Sequence, residues 1–203
     1  MKLKFNSPVV LIFTAICLVA TVLNIISKGA TNEALFSTYH SSPSSFMTYV
    51  RFITHVFGHG DFAHFTGNAA FILLLGPILE EKYGNMKLTI TMIITAIVTS
   101  VFNYLAFPDI ALCGASGIVF AFILMVSFTN FKKGEIPITF ILVALIYIGQ
   151  EIYQGIVVDD DISNLSHILG GIVGAVVGFL FGASDDDEPS TDVTYEDLEK
   201  EEN

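Results

Sequence analysis

Three short stretches of this 203-residue chain set polar groups among apolar neighbours. The first is His59-Gly-Asp-Phe-Ala-His64-Phe-Thr-Gly-Asn68. His64 and Asn68 are four residues apart, so on a helix they share one face and offer an imidazole and a carboxamide together. The second is Cys113-Gly114-Ala115-Ser116-Gly117. Its small residues leave the serine open to an approaching backbone, and N–H groups at a helix start can face an anion. The third is Ser166-His167, just ahead of Gly170, Gly174, Gly178 and Gly182. Each has a plain structural reading as well. His64 and Asn68 can satisfy backbone at a helix entry, small-Ser-small runs pack membrane helices, and a lone histidine can sit at an interface. A metal centre is not expected, because His59 and His64 are five apart and no cysteine or nearby acid completes a ligand set.

The elements that carry these groups are membrane spans. The chain is 53% apolar and 14% charged, against about 25% charged in a soluble domain. A spanning helix needs about 20 mostly apolar residues. Six segments qualify as candidates: Pro8–Ile26, Phe62–Leu79, Leu88–Phe107, Ile110–Phe128, Ile136–Ile148 (with an extension to Val158) and Leu165–Phe181. The first is read as an uncleaved helix, since its apolar run is long for a signal peptide. The expected architecture is therefore all-α: a polytopic membrane protein with six transmembrane helices in a bundle spanning residues 1–183. The formal charge of -11 comes mostly from segment 184–203, which holds ten acids and one base. That tail is expected to be disordered. Cys17 and Cys113 are too few for a disulfide framework and read as small apolar residues. No basic patch points to nucleic acid.

Lysine and arginine set the orientation. With the N-terminus inside, Lys2, Lys4, Lys82, Lys87, Lys132, Lys133 and Lys200 fall on the inner side, and Lys28 and Arg51 on the outer. The acidic tail is then cytoplasmic. Helices two, four and six all begin outside, so His64, Asn68, Ser116 and His167 lie at comparable depth. At one depth they supply the parts of a serine hydrolase. His167 takes the proton from Ser116 and returns it to the leaving amine. His64, Asn68 and the Ser116 N–H hold the oxyanion. No intramembrane acid is set to orient His167, so a Ser–His dyad is expected; Asp159, Asp160 and Asp161 lie in the preceding loop. The glycine stripe of helix six lets another backbone approach closely.

These residues resemble the rhomboid family of intramembrane serine proteases, of the six-helix bacterial type. Gly114-Ala115-Ser116-Gly117 matches its GxSG motif, His59…His64…Asn68 its HxxxxHxxxN motif, and His167 with Gly170 and Gly174 its histidine and packing glycines. Arg51 matches the arginine of the long first outer loop, and Leu75-Gly76, Glu80 and Gly84 resemble the inner end of helix two. The match covers about residues 45–182. The resemblance implies cleavage of transmembrane protein substrates near the outer face of the bilayer, with no metal or cofactor. It makes Ser116 the nucleophile, His167 the base, His64 and Asn68 oxyanion donors, and His59 a structural residue near the site. It also implies a bacterial inner-membrane location. Two departures stand out: Val50-Arg51 replaces a frequent Trp-Arg, and Phe120 replaces a frequent tyrosine four residues after the nucleophile. Helix five, with Gln150, Glu151 and Gln154, is the expected side for lateral substrate entry. The alternatives are an inactive rhomboid-like protein that binds membrane clients, and a small channel or transporter. The second predicts charged or polar residues at mid-depth and often two similar halves; the middles of helices one, three and five lack charges, and no halves are seen.

Overall fold

The computed structural model describes residues 6–129, 136–146, 149 and 161–185. Helix α1 is Pro8–Ile26, with proline in its first turn, where a missing N–H costs nothing. The preceding Ser7 does not cap it. The cap comes from far along the chain: the two carboxylate oxygens of buried Glu80 accept the N–H groups of Val9 and Val10, each at 3.0 Å. Segment 27–61, which connects the first two expected spans and carries Arg51, holds regular turns and a helix. It holds a π-helical turn, Asn32–Phe36, helix α2, Phe46–Thr54, and a 3-10 turn, His55–Phe57.

Helix α3, Phe62–Ala106, covers both the second and third expected spans in 45 residues. A straight helix of that length would run about 68 Å, more than twice the roughly 30 Å hydrocarbon core. Gly84 breaks it at φ 77, ψ 165, a conformation that glycine adopts readily. The two arms fold back on each other. A β-carbon on Gly114 would meet His64 of the first arm, and one on Gly117 would meet Thr99 of the second. On a straight helix residues 64 and 99 would stand about 52 Å apart.

Helix α4 is Ser116–Val126, not the longer run from Ile110 expected of the fourth span. Gly114, at φ 125, cannot continue a right-handed helix, and Leu112 is drawn into an antiparallel bridge with Thr38. The helix is apolar nearly all round, which marks a central element, and Ile118, Phe122, Leu124 and Met125 are fully buried. Residues 138–146 form α5; the expected extension to Val158, with Gln150, Glu151 and Gln154, lies outside the described residues. Helix α6, Asp161–Asp185, starts a turn before the expected Leu165, so His167 sits in its second turn rather than at its start. The tail beyond Asp185, and Asp159 and Asp160, also lie outside the described residues.

Among the described residues three helices are long and apolar enough to cross a membrane: Pro8–Ile26, Phe62–Ala106 and Asn164–Gly182. Their outward faces carry large apolar side chains such as Val19, Leu74, Leu105 and Leu180. That surface suits lipid, and the protein is an all-α polytopic membrane protein.

Candidate active site

The first arm of α3 starts where Asp61 caps it, its side chain accepting the His64 N–H at 2.7 Å. The cap fixes the helical register, and His64 and Asn68 then project from one face. Both press on Gly114: a β-carbon there would fall 2.9 Å from His64 Nε2 and 3.8 Å from Asn68 Nδ2. Glycine is thus required at 114 for its positive φ and for this approach.

The loop that delivers Ser116 is held at several points. Thr38 and Leu112 exchange backbone hydrogen bonds of 2.9 and 2.8 Å. Asn103 Nδ2 donates to the Ile110 carbonyl at 3.0 Å. The Gly114 N–H donates to the His55 carbonyl at 3.0 Å. Ser116 then opens α4, where helix N–H groups lack intrahelical acceptors and carry the positive end of the dipole.

Glycines bring α6 to it. A β-carbon on Gly170 would lie 2.1 Å from the Gly117 carbonyl oxygen, and one on Gly174 2.1 Å from that of Ala121. The backbones touch, so His167, one turn before Gly170, comes level with the first turn of α4. Its ring stacks on Phe120 at 4.4 Å and 6°. Phe120 therefore offers His167 an aromatic face without a hydroxyl.

His64, Asn68, Cys113, Ser116, Phe120 and His167 all line one cavity of about 400 Å³. The Asn68 Nδ2 is buried with no hydrogen-bond partner, and so is open to an acceptor arriving there. Gly117 lies behind the serine, against the Thr99 methyl at 3.2 Å from a would-be β-carbon.

His59 is fully buried behind His64, its ring edge-on at 4.9 Å. Its Nδ1 donates to the Phe57 carbonyl at 3.1 Å, and its own carbonyl accepts from Asn24 and Asn32. Burial first, and the neighbouring His64 second, push its pKa down to about 4. Arg51 is buried but does not line the cavity. Its guanidinium donates to Ser41 Oγ at 3.0 Å and covers the Tyr39 ring at 4.3 Å, which ties together the segment leading into α2.

His55 was not singled out in the sequence, where only its spacing of four from His59 hints at a shared role. It is buried, its Nε2 meets Thr99 Oγ1 at 3.4 Å, and burial pushes its pKa down to about 4. Cys17 and Cys113 are both free. Among the described residues no three His, Cys, Asp or Glu side chains converge as metal ligands would.

A membrane-embedded helical protein with a serine, two histidines and an asparagine around one cavity narrows the class considerably. Residues 47–184 match the Rhomboid domain, and the chain belongs to the rhomboid family. It is similar to the "Rhomboid protease GlpG" of Haemophilus influenzae, 24% identical over 86% of this chain and 91% of that protein. It is also similar to the "Rhomboid-like protein 11, chloroplastic" of Arabidopsis thaliana, 26% identical over 70% of this chain and 54% of that protein. The "Rhomboid-related protein 1" of Caenorhabditis elegans is 27% identical over 64% of this chain and 39% of that protein.

Proposed function

We propose that this protein is an intramembrane serine endopeptidase that cuts transmembrane protein substrates through a Ser116–His167 dyad, without metal or cofactor. The observation that carries the reading is the common cavity of Ser116, His167, His64 and Asn68, with the Asn68 amide unpartnered.

In this reading Ser116 Oγ attacks the scissile carbonyl carbon while His167 accepts the hydroxyl proton. The oxyanion that forms is held by Asn68 Nδ2, His64 and the Ser116 N–H. Collapse of the tetrahedral species breaks the C–N bond, and His167 gives its proton to the leaving amine. Water, deprotonated by His167, then attacks the acyl-serine ester. The second tetrahedral species releases the carboxylic acid and restores Ser116. His59 braces His64, and Gly114, Gly117, Gly170 and Gly174 allow the close approach.

The same reading takes the chain across the bilayer six times, with both termini in the cytoplasm. It counts the two arms of α3 as separate spans and adds α4 and α5 to the three long apolar helices. The cell membrane of a bacterium is its proposed location, and the acidic tail is its cytoplasmic extension. Substrates enter laterally beside α5.

The test is cleavage of a fluorescently tagged transmembrane substrate by detergent-purified wild type, Ser116→Ala and His167→Ala. Cleavage by wild type alone is expected. Cleavage that survives Ser116→Ala would remove the nucleophile, and folded but inactive wild type against several substrates would favour a client-binding rhomboid-like protein.

A further inference from the structure

Between α1, the second arm of α3 and the 3-10 turn lies an apolar trough of about 380 Å³. Ile12, Ile16 and Ile93 form its rims, exposed by 55%, 40% and 41%, while Phe13, Val56 and Met92 are buried in its floor. We propose that this trough holds one acyl chain of a membrane phospholipid, and that its occupancy raises the rate of cleavage. The second half of the proposal rests on the protease reading above.

The occupant follows from the trough's place and chemistry. It opens on the flank of two membrane-spanning helices, where the surrounding medium is lipid. Among the described residues that line it, the one polar side chain is Thr89, whose hydroxyl already donates to the Asn85 carbonyl at 2.8 Å. Among the described lining residues no side chain is left to recognise a peptide backbone or a charge. One turn of helix with side chains sweeps roughly 500 Å³, more than the trough holds, whereas a chain of methylenes is narrow and adaptable. Within lipid the gain is packing rather than transfer from water, and a chain in the trough meets protein atoms on three sides instead of one.

The link to the site is Val56. It forms the trough's floor and also lines the narrow cavity behind Ser116, together with Thr95 and Thr99. Its neighbour His55 holds the Gly114 N–H through its carbonyl, at 3.0 Å. The turn His55–Phe57 therefore has the acyl chain on one side and the serine's loop on the other. An occupied trough braces that turn. An empty one leaves it room to shift, and Gly114 and Ser116 with it.

The experiment uses the full chain, stripped of lipid in detergent and titrated with palmitoyl-oleoyl phosphatidylglycerol. Bound lipids are counted by native mass spectrometry and cleavage is followed in parallel. Wild type should retain one lipid through the gas phase and gain at least threefold in rate. Ile93→Trp, which fills the trough, should retain none and show a rate indifferent to added lipid. Ile16→Phe serves as a milder second variant, with thermal unfolding confirming that both fold. Leu74→Trp, on the exposed face of the first arm, should behave as wild type. Equal retention by Ile93→Trp and wild type would overturn the site, and an unchanged lipid response in the filled variants would overturn its control of rate. If wild type cleaves nothing at any lipid level, the protease reading fails, while the lipid count still decides the trough.

Discussion

Gly170 lies so close to Gly117 that a β-carbon on it would fall 2.1 Å from the Gly117 carbonyl oxygen. That contact sets the spacing between α6 and α4, and with it the distance from His167 to Ser116. Gly170→Ala must push the helices apart, since neither backbone can yield locally. Overpacking of this kind costs about 1–3 kcal/mol. We expect a lowered unfolding midpoint and at least a tenfold loss of cleavage, with Gly171→Ala much milder, because its nearest neighbour is the Leu124 side chain at 3.2 Å. Equal effects of the two changes would contradict the role given to the Gly170 contact.

Asn68 should separate activity from stability. Its amide nitrogen is buried without a partner, so removing it frees no acceptor and relieves an unmet donor. Asn68→Ala is expected to lower kcat by about 10²–10³ while the unfolding midpoint stays level or rises. A kcat within threefold of wild type would mean that the amide does not meet the oxyanion.

Glu80 should do the reverse. Its carboxylate caps α1 by accepting the N–H groups of Val9 and Val10, at the end of the molecule remote from Ser116. Glu80→Ala is expected to cost about 2 kcal/mol, in the range for hydrogen bonds to a charged group, and Glu80→Gln less, because one acceptor oxygen remains. Cleavage at low temperature should stay within about threefold of wild type. Thermal unfolding of both variants, followed beside their turnover, measures the separation.

Acid should destabilise the fold through two buried histidines. The pKa values of His55 and His59 are pushed from 6.5 down to about 4, chiefly by burial. Well above pH 6.5 both are neutral, folded or unfolded, and contribute no pH dependence. As pH falls from about 6.5 to about 4 the unfolded chain takes up protons that the folded one refuses, and stability is lost. The limit is on the order of 3 kcal/mol per histidine. His55→Gln should flatten the dependence of the unfolding midpoint between pH 7 and 4.5; an unchanged slope would show that water reaches the wild-type ring.

Much of this was legible before any coordinates. Pro8–Ile26 was bounded from its apolar run, and the observed α1 has the same limits, because a span in lipid must satisfy its backbone internally and is helical by necessity. Residue type and spacing single out His64, Asn68, Ser116 and His167, and these four line one cavity. The four-residue glycine stripe foretold a close helix contact, though not its partner.

Other features had no local signal. Where α4 begins depends on Thr38 pairing with Leu112 and on Gly114 resting against His64. The cap of α1 comes from Glu80, some seventy residues away. His55 carries no sequence signal beyond its spacing from His59, and the contacts of Arg51 with Ser41 and Tyr39 join residues ten and twelve positions apart. Sequence by itself determined which segments must leave water and become helices, since burial and hydrogen bonding within a segment are encoded there. Only the tertiary structure decided which backbones touch, because close approach depends on residues distant in the chain meeting without a clash. The site exists where those contacts fall.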